Sequence, residues 1–231
     1  MKRVLMSIVV VGSVVAYAVA CSSSSSSGGS TPGGTAAAIA VGDGPGDPGP
    51  GGIRFAASGE VLALTGYAFP PPSEDAPAFV DGWDVHFTRL LVTFGNVTLS
   101  ENPDKLPGDQ SQTDAVVAQL AGPWAVDLAH PDPSNLPGKG GPGEQAVPFE
   151  SIKANSALKT DGTRYAFGFD ALAATASAKQ VNLDAAAAAE YQDMIAKGCV
   201  VLYAGHASFK GNKSDPACYP ADRHGFPDEV D

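Results

Sequence analysis

Basic residues are scarce in this sequence. Its 231 residues hold 14 Lys and Arg against 25 Asp and Glu, a formal net charge of −11. Binding to phosphate backbones rests on clustered Lys and Arg, and no such cluster occurs, so a nucleic-acid partner is excluded. Charged residues of both signs amount to 17%, below the roughly 25% of ordinary soluble domains. Large core-forming side chains are fewer than the 44% apolar content suggests, because 37 residues are Ala. Catalytic signatures are missing as well: no Gly-x-Ser-x-Gly turn, no Gly-x-Gly-x-x-Gly between a strand and a helix, no phosphate-binding loop and no His-Glu-x-x-His. No internal repeat of about 20 to 50 residues is visible. What is abundant is Gly and Pro, 46 of 231 residues, which implies a loop-rich chain with at least one unstructured stretch.

Residues 1–20 read as an export signal. Met1-Lys2-Arg3 forms a positive end, 4–17 is an uncharged Val-rich stretch, and Ala18-Val19-Ala20 offers the small residues a signal peptidase needs. The apolar run is shorter than the about 20 residues that span a bilayer. Cys21 follows at once. A small-residue triplet ending directly before a Cys resembles the lipobox of bacterial lipoproteins, with Ala18 where Leu is usual. The resemblance implies that Cys21 is acylated as the mature N-terminus, that the membrane is a partner through this lipid, and that the protein sits in the bacterial cell envelope. Ser22 after the Cys is compatible with sorting to the outer membrane, facing the periplasm or the cell surface. The alternative is plain secretion with cleavage at the same bond.

From 22 to 52 the chain is almost only Ser, Gly, Pro, Ala and Thr, a composition that cannot bury apolar surface. Residues 21–52 are therefore expected to form a lipidated, disordered tether with a reach on the order of 30 Å, and 53–231 one folded domain. With Cys21 assigned to lipid, Cys199 and Cys218 remain. In an oxidising compartment such a pair becomes a disulfide. Its loop of 18 intervening residues makes it worth about 3 kcal/mol. The alternative for these two is a thiolate metal site.

Within the domain, 53–57 and 60–69 read as strands joined at a Ser58-Gly59 turn, and Pro70-Pro71-Pro72 closes the second. The strongest signal is 83–99. Trp83, Val85 and Phe87 are apolar on odd positions, Leu90, Val92 and Phe94 on even ones, and Val97 and Leu99 on odd ones again. Such parity changes inside one strand are what β-bulges produce. Further strands are expected at 116–120, 124–128, 146–152, 165–169 and 199–209. One helix is expected near 184–197, with Asp184 as N-cap, an Ala-rich start and Gly198 beyond its end. The polar tail from Lys210 shows no closing element, which leaves a truncated chain and a disordered terminus equally open.

Candidate chemistry is sparse. Asp84 and His86 lie two apart on the polar face of the long strand, close enough to reach one ion, and His130 and His206 stand at or near the ends of other expected strands. If those strands are neighbours, this set favours zinc or copper. The plain alternative is a solvent-facing polar pair and a half-buried strand residue, with His224 in a loop. Asn102, Asp104, Asp109 and Asp114 offer oxygen ligands, yet their spacing matches no calcium loop. Ser208 beside His206 lacks a marked orienting acid. Trp83 and Trp124 fall on the apolar sides of their strands and are expected in the core. The 131–148 loop, with five Pro and four Gly, is a candidate contact surface.

The expectation is therefore a mainly β chain, an antiparallel β-sandwich of immunoglobulin or transthyretin type with one helix. It would serve as a lipid-anchored binding or scaffolding module of the bacterial envelope, non-catalytic and without cofactor, its partner an envelope protein or ligand. The alternative is a periplasmic zinc- or copper-binding protein using the strand histidines.

Overall fold

The fold is organised by one strand of eighteen residues, Trp83–Ser100, whose first half and second half have different neighbours. The computed structural model describes residues 42, 44–73, 82–106, 112–131, 145–154, 158–159, 161–214 and 227–231. Cys21, Asp109, Cys218, His224 and positions 132–144 of the expected contact loop lie outside them.

In chain order the elements are β1 (Ile53–Ala57), α1 (Glu60–Thr65), β2 (Trp83–Ser100), β3 (Val116–Leu120), β4 (Trp124–Asp127), β5 (Val147–Ile152), β6 (Ala166–Ala171), β7 (Lys179–Gln180), α2 (Ala185–Lys197), β8 (Val201–Phe209) and β9 (Glu229–Val230). β8 runs antiparallel along Trp83–Val92 and β4 along Leu91–Phe94 of β2. β6 and β3 continue on the two sides of its second half. β7 and β9 extend the sheet beyond β4 and β8. β1 and β5 form a separate antiparallel pair, which packs through Phe55 and Phe149 onto Phe94 and Trp124. The result is two β layers around one core, the antiparallel sandwich expected from the strand pattern.

The parity changes along β2 have the physical cause expected of them. The register with β8 slips between Phe87 and Arg89, and the register with β6 slips between Gly95 and Thr98, where Asn96 has φ 50°. Each extra residue turns the following side chains over, so the apolar series stays on the core face. Leu91 and Thr93 point to the other face, where α2 covers them with Ala187, Tyr191 and Met194. The helix is set as its sequence demands: the Asp184 carboxylate accepts the Ala187 N–H at 2.7 Å, and Gly198 closes it in the left-handed conformation. Trp124 is 1% exposed and belongs to the core, whereas Trp83 is only half-buried, edge-on to Phe209. Side chains as buried as Trp124 and Phe149 each contribute about 1.5–3 kcal/mol.

Several local expectations are corrected. The 60–69 stretch is not a strand: Glu60–Thr65 is a helical turn and a half, and only Tyr67 bridges to Val85. Leu, Ala and Glu favour helix when no partner strand satisfies the backbone, and here β1 pairs with distant β5, so Ser58-Gly59 makes no hairpin. Among the described residues two helices are therefore present in place of one. Gly66 ends α1 at φ 72°, and a Cβ there would lie 1.9 Å from the Val85 carbonyl oxygen, so only glycine allows this approach. The 146–152 stretch, a weak strand by sequence, is buried at every position of β5. The tail supplies a closing strand after all, β9 against β8.

The described end of the expected tether is docked. Gly44 donates its N–H to Glu150, and its carbonyl accepts the Ser151 hydroxyl at 2.7 Å. Arg54 Nε donates to the Gly46 carbonyl at 2.9 Å. Glu150 itself is 1% exposed, accepts the Ser151 N–H at 3.2 Å and pairs with Lys179 at 3.1 Å. A buried carboxylate requires such partners, and the segment 44–52 supplies one of them.

Candidate functional site

Two places gather chemistry: a cavity beneath α1 and a polar face at the start of β2. The cavity exists because α1 is short and bears small residues where it meets the sheet. Gly59 lies against Ala63, where a Cβ would stand 2.3 Å from the Ala63 Cβ. Between this thin cover and the core-facing side chains of β2, a volume of about 170 Å³ stays unfilled. Leu62, Leu90, Val92, Phe94 and Leu128 contribute apolar wall. A cavity of about 150 Å³ with such walls holds one benzene-sized molecule.

Aromatic rings finish the site. Phe87 stands between Tyr67, edge-on at 6.3 Å, and Tyr203, tilted at 6.0 Å, and all three line the cavity. Phe169 meets Phe94 edge-on at 6.3 Å. Phe169 and Tyr203 are 39% and 50% exposed, large apolar surface left in the open at the rim. Burial, with the Tyr67 phenol nearby, pushes the Tyr203 phenol above its usual range, which keeps it a neutral hydroxyl. Among the described residues, Glu60 is the one lining residue with a charged side chain. It has φ 59°, a left-handed conformation uncommon outside glycine. Ser58 fixes this corner: its hydroxyl accepts the Glu60 N–H at 3.0 Å and donates to the Gln145 carbonyl at 3.1 Å.

On the polar face, the structure brings together three of the four residues expected as metal ligands. His86 and His206 are direct cross-strand partners, and Asp84 lies two residues from His86. Each of the three is nevertheless in a charged pairing. His86 Nε2 lies 2.7 Å from Asp84 Oδ1, and Lys210 Nζ donates to Asp84 Oδ2 at 2.8 Å. The Lys210 hydrogen bond, helped by His86, holds the Asp84 carboxyl below its ordinary value. His206 places Nδ1 2.7 Å from Asp231 and Nε2 2.7 Å from Glu229. The Asp231 hydrogen bond, with the charge of Glu229, raises its pKa.

His130, the fourth, belongs to another cluster. Its Nδ1 is 2.9 Å from Asp127 and 3.1 Å from Arg89. Arg89 also reaches Asp184 and Glu190, so this group fastens α2 to the sheet. Among the described residues, no three His, Cys, Asp or Glu side chains are arranged to hold one metal ion. Of the four expected residues, Asp84, His86 and His206 thus share one face, with carboxylates at the imidazole nitrogens, and His130 lies apart with Arg89 and Asp127.

Ser208 shares the face with His206, but both nitrogens of that imidazole are taken by carboxylates, so it does not activate the hydroxyl. The expected calcium donors are likewise paired: Asp114 with Lys105 and Asn102, Asp104 with Arg164. Cys199 is buried in the core beneath α2. It is the one cysteine among the described residues, which contain no disulfide.

The cavity was not legible in the sequence. It depends on 60–65 being helical and on β1 pairing with β5, and the short continuous apolar run Val61-Leu62-Ala63-Leu64 fits a strand as well as a helix. Compared with family models, curated proteins and solved structures, the chain matches none.

Proposed function

We propose that this chain is a lipid-anchored binding module of the bacterial envelope, held to the membrane by acylated Cys21, with the cavity beneath α1 as its binding site. The observation that carries the reading is the ring-walled volume of about 170 Å³ with Phe169 and Tyr203 exposed at its rim. Apolar concavities with a few placed polar groups are where small ligands bind. The lipobox-like Ala18-Val19-Ala20-Cys21 supports the address.

Two experiments test this. Wild-type chain should partition into detergent and Cys21→Ser should not; equal partitioning refutes the anchor. For the site, full-length Cys21→Ser protein is titrated with benzyl alcohol while amide resonances are followed. Shifts should centre on Leu62, Phe87 and Tyr203, and Ala171→Trp, which adds bulk at a lining position, should remove them. Shifts elsewhere, or shifts that Ala171→Trp leaves intact, refute the cavity as the site.

A further inference from the structure

The cavity's own chemistry narrows its ligand. Among the described residues that line it, Glu60 is the one with a charged side chain, and none is Lys, Arg or His. Among the described residues the Glu60 side chain has no hydrogen-bond or ion-pair partner, unlike Glu150, Asp84 and Asp127, each of which has one. The Tyr203 hydroxyl is also without a hydrogen bond among the described residues. Three rings, Tyr67, Phe87 and Tyr203, meet at mutual angles of 79° and 50°, so both faces and edges are presented at one end of the site. Ring faces carry negative electrostatic potential and attract cations within about 6 Å. An anion there would meet Glu60 and the ring faces, both repulsive. A neutral arene would fill the walls and leave the carboxylate unmatched at the edge of an apolar space. The chain's net charge of −11 also enriches cations around the molecule.

Resting on the reading of this cavity as the binding site, we infer that its ligand is an organic ammonium ion with an apolar body of about one ring. The body lies against Leu62, Leu90, Val92 and Phe94. The ammonium lies at Glu60 among Tyr67, Phe87 and Tyr203. The opposite charge is the selective element, and the ring faces add their own attraction for the cation.

The test is a calorimetric titration of full-length Cys21→Ser protein at pH 7 with three probes of one shape: benzylamine, benzyl alcohol and benzoate. Benzylamine, protonated at this pH, is expected to bind about tenfold more tightly than benzyl alcohol, with benzoate weakest. Glu60→Gln should bring amine and alcohol to equal affinity, and Tyr203→Leu, at a half-exposed position, should weaken the amine more than the alcohol. Equal binding of amine and alcohol by the wild type overturns the ammonium class while the cavity reading stands. Binding of none of the three overturns the cavity reading and the class with it.

Discussion

Arg89 of β2 grips both carboxylate oxygens of Asp184, the residue that caps α2, at 3.1 and 3.0 Å. The same guanidinium lies 3.6 Å from Asp127, whose side chain is 2% exposed. One cation thus serves a helix cap and a buried acid together. Replacing Arg89 by Met leaves Asp127 without its counter-charge, which is expected to cost about 3–5 kcal/mol. Urea denaturation measures it, and Arg89→Lys should recover only part, since an ammonium lacks the planar fork.

The clasp between His206 and the carboxylates of Glu229 and Asp231 depends on pH. Its folded pKa is raised above the ordinary 6.5, so the protonated imidazole favours the folded state. That contribution is complete below the unfolded value and falls away as pH rises through the raised folded one. Amide exchange at Phe209, whose N–H donates to the Asp228 carbonyl at 2.7 Å, should therefore lose protection across neutral pH beyond the intrinsic base-catalysed increase. His206→Gln should abolish that pH dependence.

Glu150→Ala removes the acceptor of the Gly44 and Ser151 N–H groups. Each buried donor left unmatched costs about 1–3 kcal/mol. The 44–52 segment should detach before the domain unfolds. Amide exchange at Gly52, whose N–H donates to the Gly49 carbonyl at 3.2 Å, reads this directly, with faster exchange expected in the variant under native conditions.

Tyr191 is fully buried; its hydroxyl accepts from Thr93 Oγ1 and from the Thr175 N–H, both at 3.2 Å. Tyr191→Phe keeps the packing and loses both bonds together with the one the hydroxyl donates to the Thr175 carbonyl at 3.4 Å, so about 1–3 kcal/mol of destabilisation is expected. In a domain of this size each 1 kcal/mol lowers the melting temperature by about 2–4 °C.

The amino-acid pattern revealed most where structure is local or strongly periodic. Asp184 and Gly198 bracket α2 as their chemistry requires, and the switching parity of Phe87, Leu90, Phe94 and Val97 reports the bulges in β2. It was silent where distant partners decide. Ile53 pairs with Ile152 across nearly a hundred residues, and α1 takes its form only because that pairing removes its neighbour. The site shares this fate: His86 and His206 were placed on strands whose pairing the sequence left open, and the carboxylates that take the nitrogens of His206 are Glu229, in a strand two residues long, and Asp231 just beyond it. The cavity follows from what α1 fails to fill, and no motif marks it.

The fastening of Gly44 to Glu150 also has a mechanical meaning. Tension applied to the chain from its N-terminal side does not first peel β1 from its end. It arrives at Gly44 and is handed sideways to Glu150 and Ser151 in the middle of β5, bypassing the strand that follows in sequence. Load is then shared across several bonds loaded together, in place of a zipper opened one rung at a time. The segment acts as strain relief, as a clamp does where a cable enters its housing.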